Sequence, residues 1–499
     1  MVAELFVSEI VRCAAAAGEE PLIWSQDRAT TGAEFGESIF RYARALAGSG
    51  IGGNDLVGLF APNRPEALAI RYAANLIGAA TCFLPSAGTA ANRHDLLTMM
   101  DLRMLVVFPE TAHLVPDPAP AGLACVGVDL PGIRLDRLAA AESGDPLPCR
   151  ARPHDLGHVA SSGGTTGVPK GSLRSFEIYS KMVATPEDPT RRQLVNGPLA
   201  YLSQTLVDST ILGGGTVIMQ DAFEPAETLA AIEAHRVTHL MLLETQLAQV
   251  IDHPDLGIRD LSSLRVLSHG GAAAPPSFRR RAREAIGPVL ATMYGCNELG
   301  MVSFLAPGEY DRPEHRTSVG RISPGVDVRI RAADGTIASV PGGIGTIEVR
   351  SPRMAQGYRN QPEREAAAFV DGWYHTGDLG AIGENGVLYF HGRADDLSNL
   401  DGAQVTSDAL EDTAARVPGV RYAVAVADED GTWSVAIQSD TAAVETCRHA
   451  ITTAHGITAV VARLTEFPLT EQGKADRVAI RTLVRSAQTA RPGQAAAGQ

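Results

Sequence analysis

The chain has 499 residues, of which 45% are hydrophobic and 20% charged, and its formal net charge is -14. This length exceeds what one core usually organises, at roughly 100–200 residues per domain, so more than one domain is expected. The acidic balance argues against a nucleic-acid partner, because such proteins usually present a basic surface. The sequence has no apolar run of about 18 residues, which predicts no membrane span.

Cysteine usage indicates a reduced, cytoplasmic setting. The six cysteines are scattered and include no CxxC pair, which is not the pattern of a disulfide scaffold. Glu4 and Glu9 interrupt the apolar residues at the start, so no signal peptide is expected.

Lysine is scarce in this chain. Only three of the 43 basic residues are lysine, namely Lys170, Lys181 and Lys474. A lysine is a compact, mobile point charge, whereas arginine is a wide planar fork. In a chain that otherwise uses arginine, a lysine indicates a position where arginine does not substitute.

The first two-thirds of the chain alternates short apolar runs with amphipathic stretches. Residues 55–62 and 104–108 are predicted strands, and 64–80 is a predicted helix between them. Farther along, strands are expected at 216–219 and 239–243, and helices at 226–234 and 276–286. Such alternation predicts parallel sheets covered by helices.

The pattern changes after residue 320. Strands at 326–331, 345–350 and 387–390 lie between glycine-rich turns, which is typical of antiparallel pairing. From 394 onward, strands at 422–427 and 433–437 alternate with helical stretches. The expected fold is α/β. A large N-terminal domain (1–393) of mostly parallel, helix-covered sheets carries a small β-rich subdomain. A small mobile α/β domain (394–485) and a disordered tail (486–499) follow.

The segment 161–171 reads SSGGTTGVPKG and is the sharpest motif in the chain. Its glycines let the backbone approach an anion closely, and its hydroxyls and Lys170 supply donors and positive charge. It is not a Walker A loop, because the glycine pair lacks a Gly-Lys five residues on and a proline precedes the lysine. The segment predicts a polyphosphate site.

Four more motifs follow in order: HGGA (269–272) after an apolar stretch, YGCNE (294–298), WYHTGD followed by GRADD (373–378 and 392–396), and PLTEQGKADR (468–477). Together with the phosphate loop they resemble the signatures of the superfamily of acyl-CoA synthetases, adenylation domains and luciferases. The resemblance runs from about residue 55 to 477 and is closest to the fatty-acyl-CoA or aryl-CoA ligase branch.

The resemblance implies a role for each motif. Glu298 would hold Mg²⁺ and act in catalysis, since Mg²⁺ prefers carboxylate and phosphate oxygens. Lys474 would be the catalytic lysine that neutralises charge between the acid and the α-phosphate. Asp395 would be the hinge between the two domains. The implied ATP-binding residues are Ser161, Ser162, Gly163, Gly164, Thr165, Thr166, Gly167, Lys170, Gly270, Gly271, Ala272, Tyr294, Asn297, Asp378 and Arg393.

The sequence departs from the family pattern around the acceptor. Where the ligase branch has Pro-x-x-His-x-x-Gly, Tyr201 replaces the histidine and Gln204 the glycine, which indicates an altered acceptor gate. Gly402, which clears the family's acceptor tunnel, remains, although flanking positions drift. The predicted substrate pocket comprises Tyr201, Gln204, His269 and Cys296.

The function implied is ATP-dependent adenylation of an acid with release of pyrophosphate, followed by transfer to a nucleophile. ATP and Mg²⁺ are the expected cofactors, with coenzyme A as a co-substrate of an acyl- or aryl-CoA ligase. The rebuilt gate keeps open an ATP-dependent diazotase that activates nitrite for an aryl amine in secondary metabolism. Amide-forming and carrier-loading activities are further variants. A non-catalytic nucleotide-binding relative is disfavoured, because Lys474, Glu298, Asp378 and Arg393 are all present.

Overall fold

The computed structural model describes residues 4–162, 169–271, 274–338, 340–394, 398–400, 403–428, 431–439 and 443–489. Up to the phosphate loop the elements are, in chain order, α1 (Phe6–Ala17), β1 (Pro21–Ser25), β2 (Arg28–Thr31), α2 (Gly32–Gly48), β3 (Leu56–Phe60), α3 (Pro65–Leu76), β4 (Ala80–Phe83), α4 (Ala90–Met100), β5 (Met104–Val107), β6 (Leu123–Cys125), β7 (Ile133–Arg134), α5 (Leu135–Ala141) and β8 (Leu156–Ser162).

The central part contains β9 (Lys170–Ser175), α6 (Phe176–Val183), β10 (Arg192–Val195), α7 (Gln204–Leu212), β11 (Thr216–Met219), α8 (Pro225–Ala234), β12 (His239–Leu243), α9 (Glu244–Ile251), β13 (Val266–Gly270), α10 (Pro276–Ile286), β14 (Leu290–Cys296), β15 (Gly300–Leu305) and β16 (Ser318–Ile322). A π-helical turn, Leu199–Ser203, precedes α7.

The remainder contains β17 (Asp327–Arg331), β18 (Gly345–Arg350), α11 (Pro362–Ala368), β19 (Phe369–Val370), β20 (Trp373–Ile382), β21 (Val387–Arg393), β22 (Ser398–Leu400), β23 (Ala403–Val405), α12 (Ser407–Ala415), β24 (Val420–Ala427), β25 (Trp433–Ser439), α13 (Val444–His455), β26 (Ala459–Arg463) and α14 (Arg477–Thr489).

Two large sheets build the N-terminal part. A seven-stranded sheet has the order β7-β6-β5-β3-β4-β8-β9 and is parallel except for the β8–β9 pair. A 14-stranded sheet runs β17-β18-β20-β21-β16-β15-β14-β13-β12-β10-β11-β1-β2, with β19 paired to β20. Its strands from β11 through β14 pair in parallel, and those from β14 to β21 pair antiparallel. The α/β prediction is therefore confirmed.

The β-rich segment after residue 320 is continuous with the large sheet. Its strands hydrogen-bond onward from β14 through β15 and β16, so the predicted change from parallel to antiparallel pairing occurs within one sheet. Several predicted strands have the bounds expected, because short apolar runs between turn residues leave little room for another register. Strands β11 and β12 are examples.

The C-terminal segment forms a three-stranded sheet, β24-β25-β26, with α12, α13 and α14 against it. Helix α14 continues to Thr489, so the predicted boundary at 485 falls inside a helix and residues 486–489 are not tail. The helix persists because Ile480 and Val484 are fully buried against the rest of the protein. Across the described residues, no helix is both long and apolar enough to cross a membrane.

Candidate active site

The phosphate loop joins β8 to β9, so both of its ends are fixed by an antiparallel pair. Ser162 is the last residue of β8 and Lys170 the first of β9. Ser161 is buried, and its hydroxyl donates to the carbonyl of Phe83, 2.9 Å away. This corrects the prediction that the Ser161 side chain binds phosphate, because its one hydroxyl proton already ties β8 to β4.

Glu298 and Lys170 approach each other beside this loop. Lys170 Nζ lies 4.0 Å from Glu298 Oε1 and 5.3 Å from the ring centre of Tyr358. The Tyr358 hydroxyl donates to the same Glu298 oxygen at 2.7 Å. A buried carboxylate held this way beside a phosphate loop fits one ligand position of a Mg²⁺ whose other ligands are phosphate oxygens and water. Within the described ranges, no three His, Cys, Asp or Glu side chains form a metal cluster.

Asn297 connects the YGCNE motif to the phosphate loop. Its side-chain amide donates to the Ser161 carbonyl at 3.3 Å. Its own carbonyl accepts from the buried guanidinium of Arg174, whose Nε also donates to the Arg353 carbonyl at 3.0 Å. Asn297 therefore holds the end of β8 in place.

Asp378 is the centre of a second polar group on β20. Its carboxylate accepts from the Tyr294 hydroxyl at 2.6 Å and from Arg393 at 2.9 Å. Burial raises the pKa of Asp378, while the bonds from Tyr294 and Arg393 act in the opposite direction. Arg393 also donates to the Thr376 carbonyl at 3.2 Å, and about half of its side chain is exposed. The pair can present a carboxylate and a cation to one ligand.

Two glycines at the end of β13 leave bare backbone beside Lys474. Gly271 has φ +83, and a Cβ atom there would lie 2.9 Å from a methyl of Leu243 and 3.1 Å from Cε of Lys474. A Cβ atom at Gly270 would lie 2.9 Å from the Met293 carbonyl oxygen. Both positions therefore require glycine for close approach.

His269 lies in the interior of this region. Its Nε2 is 2.7 Å from the Thr292 hydroxyl and 3.4 Å from the Tyr310 hydroxyl. Burial lowers the pKa of His269 to about 3, so the ring is neutral. The side chain thus ties β13 to β14, and its contact with a substrate acid stays a prediction.

Lys474 reaches the site from a tight loop before α14. Thr470 N–H donates to the Lys474 carbonyl at 2.8 Å, and Gly473 N–H to the Thr470 carbonyl at 2.8 Å. The Thr245 hydroxyl, at the start of α9, donates to the Gly473 carbonyl. Burial lowers the pKa of Lys474, and the neighbouring Arg393 acts in the same direction. The structure therefore brings the predicted catalytic lysine against Gly271, where the charges of Asp378 and Arg393 act on its pKa.

The predicted gate residues lie at the π-helical turn before α7. Tyr201 is partly buried, and its hydroxyl donates to Glu471 of the Lys474 loop at 2.9 Å. Gln204 is buried and donates to the Tyr201 carbonyl at 3.4 Å. Cys296 is exposed at the end of β14. Their lining of an acid pocket stays a prediction.

Several predicted residues lie outside the described part of the chain: Gly163, Gly164, Thr165, Thr166, Gly167, Ala272, Asp395 and Gly402. Conversely, the sequence analysis missed Tyr358, Thr245 and Glu471. Glu471 lies inside the same motif as Lys474, which was the one available signal. The other two join the site only through tertiary pairing.

Comparison with known proteins agrees with this geometry. The family model of AMP-binding enzymes matches residues 11–359. This chain belongs to the AMP-binding enzyme family. It is accordingly an ATP-dependent, adenylate-forming ligase.

Two curated relatives are CoA ligases. The chain is 31% identical over 446 residues to a medium/long-chain-fatty-acid–CoA ligase, FadD8, of Mycobacterium tuberculosis, covering 84% of this chain and 76% of that protein. It is 29% identical over 419 residues to a feruloyl-CoA synthase of Amycolatopsis, covering 81% and 82%.

Solved structures share the fold over almost the whole chain. The amide bond synthetase McbA from Marinactinospora thermotolerans has a TM-score of 0.84 at 30% identity, covering 96% of this chain and 99% of that one. The anthranilate CoA ligase AuaEII, in complex with anthranoyl-AMP, has a TM-score of 0.88 at 20% identity, covering 97% and 98%. At that identity the second likeness concerns the fold alone.

Proposed function

We propose that this enzyme activates a carboxylic acid as its acyl-adenylate and then transfers the acyl group to the thiol of coenzyme A. The observation that carries the proposal is the position of Lys474 beside Gly271 and the Asp378–Arg393 pair. These groups are brought together from the C-terminal unit, β13, β20 and β21. No packing requirement calls for a lysine there, whereas an adenylating site does.

Each group has a proposed task in the first step. The Asp378 carboxylate accepts hydrogen bonds from the ribose hydroxyls of ATP, with Arg393 beside it. Gly270 and Gly271 let the adenine and α-phosphate lie against the backbone. A carboxylate oxygen of the acid attacks the α-phosphorus, and pyrophosphate leaves. Lys474 stabilises the negative charge that grows between the two anions, which is electrostatic catalysis by a positioned cation.

Glu298 and Lys170 are proposed to act on the departing pyrophosphate. Lys170 begins β9 at one end of the phosphate loop, and its Nζ lies 4.0 Å from Glu298 Oε1. Glu298 would hold Mg²⁺, which would neutralise charge on the phosphates when bound. Lys170 adds a second positive charge to the same region.

The named ligase relatives act on organic acids, a medium- or long-chain fatty acid in one case and a feruloyl substrate in the other. They favour a carboxylic acid over nitrite as the activated group. The diazotase alternative rests on sequence departures, namely the altered gate at Tyr201 and Gln204 and the drift around Gly402, and none of the named relatives supports it. We therefore retain nitrite with an aryl amine only as one arm of the test.

An amine is the second candidate acceptor. The amide bond synthetase McbA shares 30% identity and nearly the whole length with this chain. The hydroxyl of the gate residue Tyr201 also donates to Glu471 of the Lys474 loop. We infer that the acceptor route differs from that of a ligase with histidine at this position. An adenylate made here could then be captured by a primary or secondary amine instead of a thiol.

The test is ATP-dependent pyrophosphate release against a panel of acids. Medium- and long-chain fatty acids, hydroxycinnamic and other aryl acids, and nitrite with an aryl amine are each supplied with coenzyme A, with an amine, or with neither. We expect release that needs a carboxylic acid and a thioester product with coenzyme A. An amide product without thioester would support the second candidate. Release that required nitrite would overturn both.

Lys474→Ala should slow pyrophosphate release with the active acid by about 10²–10³-fold, because the charge in the transition state loses its positioned cation. The affinity for ATP should change far less. Lys181→Ala is the matched control, since Lys181 is exposed and pairs only with Glu177 across one helical turn, at 2.7 Å. Full activity in Lys474→Ala would remove the proposed role of this lysine.

A further inference from the structure

Besides the bond from Thr245 to the Gly473 carbonyl, one carboxylate anchors the loop that carries Lys474 to the N-terminal part of the protein. Glu471 Oε1 accepts from the backbone N–H of Ser86 at 2.6 Å. Glu471 Oε2 accepts from the Tyr201 hydroxyl at 2.9 Å. The two donors lie after β4 and before α7, so a single side chain joins three distant segments at the edge of the site.

The Glu471 carboxylate and Lys474 lie in the same internally bonded loop. Glu471 precedes Lys474 by three residues in a loop closed by its own backbone. Asp476 N–H donates to the Pro468 carbonyl at 2.8 Å, and Lys474 N–H donates to the Thr470 hydroxyl at 3.2 Å. A loop bonded across itself in this way moves as a unit, so the position of Glu471 determines the position of Lys474.

We propose that Tyr201, Ser86 and Glu471 form a latch that holds the Lys474 loop in the site during adenylation, which makes Tyr201 a positioning residue. This inference rests on the proposed function, because it assigns Lys474 to the adenylation step. In this arrangement the Tyr201 hydroxyl contacts Glu471 of the Lys474 loop. It acts through Glu471, and reorientation of the loop for acyl transfer breaks its bond.

The chemistry of the latch explains a tyrosine at a position where the ligase branch has histidine. Burial raises the pKa of Tyr201, and the Glu471 carboxylate raises it further, so the hydroxyl keeps its proton at every physiological pH. A histidine there would change charge near pH 6.5. The tyrosine therefore gives the loop a donor that stays uncharged, and its hydroxyl is committed to Glu471 in this arrangement.

The first arm of the test is kinetic. Tyr201→Phe removes the hydroxyl and keeps the ring, and Glu471→Ala removes the acceptor. With the acid identified above, Tyr201→Phe should lower the single-turnover rate of pyrophosphate formation about tenfold, as expected for one bond to a charged group. Glu471→Ala also removes the bond from Ser86 and should lower the rate at least as much. The KM for ATP and the rate of transfer from supplied acyl-adenylate should hardly change. The double variant should be no slower than Glu471→Ala, because Glu471→Ala already removes the hydrogen bond that Tyr201→Phe breaks.

The second arm observes the loop directly and needs no activity. Since the chain has three lysines, labelling with an amine-reactive ester followed by mass spectrometry reports Lys474 against Lys181 as internal reference. Breaking the latch should raise the Lys474-to-Lys181 labelling ratio several-fold in both variants. Two residues provide matched controls: the exposed Glu466, as Glu466→Ala, for the acid, and the partly buried Tyr389, as Tyr389→Phe, whose hydroxyl donates to the Glu314 carbonyl.

The outcomes separate the latch from the proposed function. Raised labelling with slowed adenylation supports both. Raised labelling in a protein that adenylates no acid on the panel supports the latch and sinks the function. Unchanged labelling, or a double variant whose rate losses multiply, overturns the latch even if both single variants are slow. Tyr201 would then act on the substrates themselves.

Discussion

Two aspartates in this protein are held by an arginine and by tyrosine hydroxyls, and they serve different ends. Asp208 of α7 accepts from both terminal nitrogens of Arg71, at 2.7 and 2.9 Å, and from the hydroxyls of Tyr72 and Tyr179. Asp378 of β20 accepts from one arginine nitrogen and one tyrosine hydroxyl. The chemistry of the two groups is the same.

What differs is how much binding capacity each group has left. The Asp208 and Arg71 side chains are 0% exposed, and the carboxylate is saturated by four donors. Asp378 is 12% exposed, and its partner Arg393 is 48% exposed. A carboxylate with four donors beside a buried arginine stabilises the packing of α3, α6 and α7, whereas a carboxylate with fewer donors beside a partly exposed arginine is suited to bind a ligand. The contrast indicates that donor count and exposure separate a structural group from a binding group.

The largest expected effect is on the structural aspartate. Asp208→Asn leaves the Arg71 guanidinium buried without its counter-charge, which should lower the free energy of unfolding by about 3–5 kcal/mol. Urea denaturation followed by tryptophan fluorescence measures the change. Asp327→Asn is the matched control, because Asp327 pairs with Arg350 on the surface at 2.9 Å and should cost under about 1 kcal/mol. Equal free energies of unfolding in the two variants would contradict a structural role for the Asp208–Arg71 pair.

The next effect concerns the binding aspartate. Asp378→Asn should weaken ATP binding about 10–100-fold, as for hydrogen bonds to a charged group, while the folded state loses less stability than in Asp208→Asn. Because burial raises the pKa of Asp378 above 3.8, the carboxylate form is lost at a higher pH than usual. ATP affinity in the unaltered protein should therefore fall as the pH drops through that pKa. Calorimetric titration across pH should show no such fall in the asparagine variant.

The smallest expected effect concerns a third carboxylate, which is held neither as Asp208 is nor as Asp378 is. Glu244 of α9 is buried, and its Oε1 has no hydrogen-bond partner in the part of the chain that the structure describes. It faces the charged and titratable groups of α10, α12, β24 and α14, which are Arg279, Asp408, Glu411, Tyr422 and Arg477. Burial raises the pKa of Glu244, and Glu411 and Asp408 raise it further.

We expect the raised pKa of Glu244 to link closure to proton uptake. Closure means the docking of the C-terminal unit, with α12, β24 and α14, against α9 and α10. A carboxylate whose pKa is raised in the closed form favours closure when protonated, so its contribution is complete below the ordinary pKa and is lost as pH rises through the raised one. Closure should weaken with rising pH by at most ~10-fold per pH unit. Glu244→Gln should flatten the pH dependence of Lys474 labelling relative to Lys181. A slope that is unchanged in the glutamine variant would assign the proton to another group.

The sequence predicted local structure and motif order better than pairing. Strands β11 and β12 have the predicted bounds because apolar runs of four or five residues admit few alternatives. The Tyr294–Asp378 bond spans 84 residues and the Tyr201–Glu471 bond 270, and neither leaves a local signal. A hydroxyl in a phosphate-loop pattern is also ambiguous, since Ser161 looks the same in sequence whether it faces a ligand or the Phe83 carbonyl.

The C-terminal unit shares an apolar cluster with the N-terminal part, in which Tyr422, Ile480 and Val484 belong with Phe278 and Leu240. The rings of Phe278 and Tyr422 meet edge to face at 5.8 Å. Any swing of that unit must expose these surfaces to water. We therefore expect the enzyme without ATP to hold Lys474 already in the site. The free-energy cost then falls on moving the C-terminal unit away for acyl transfer and not on binding ATP.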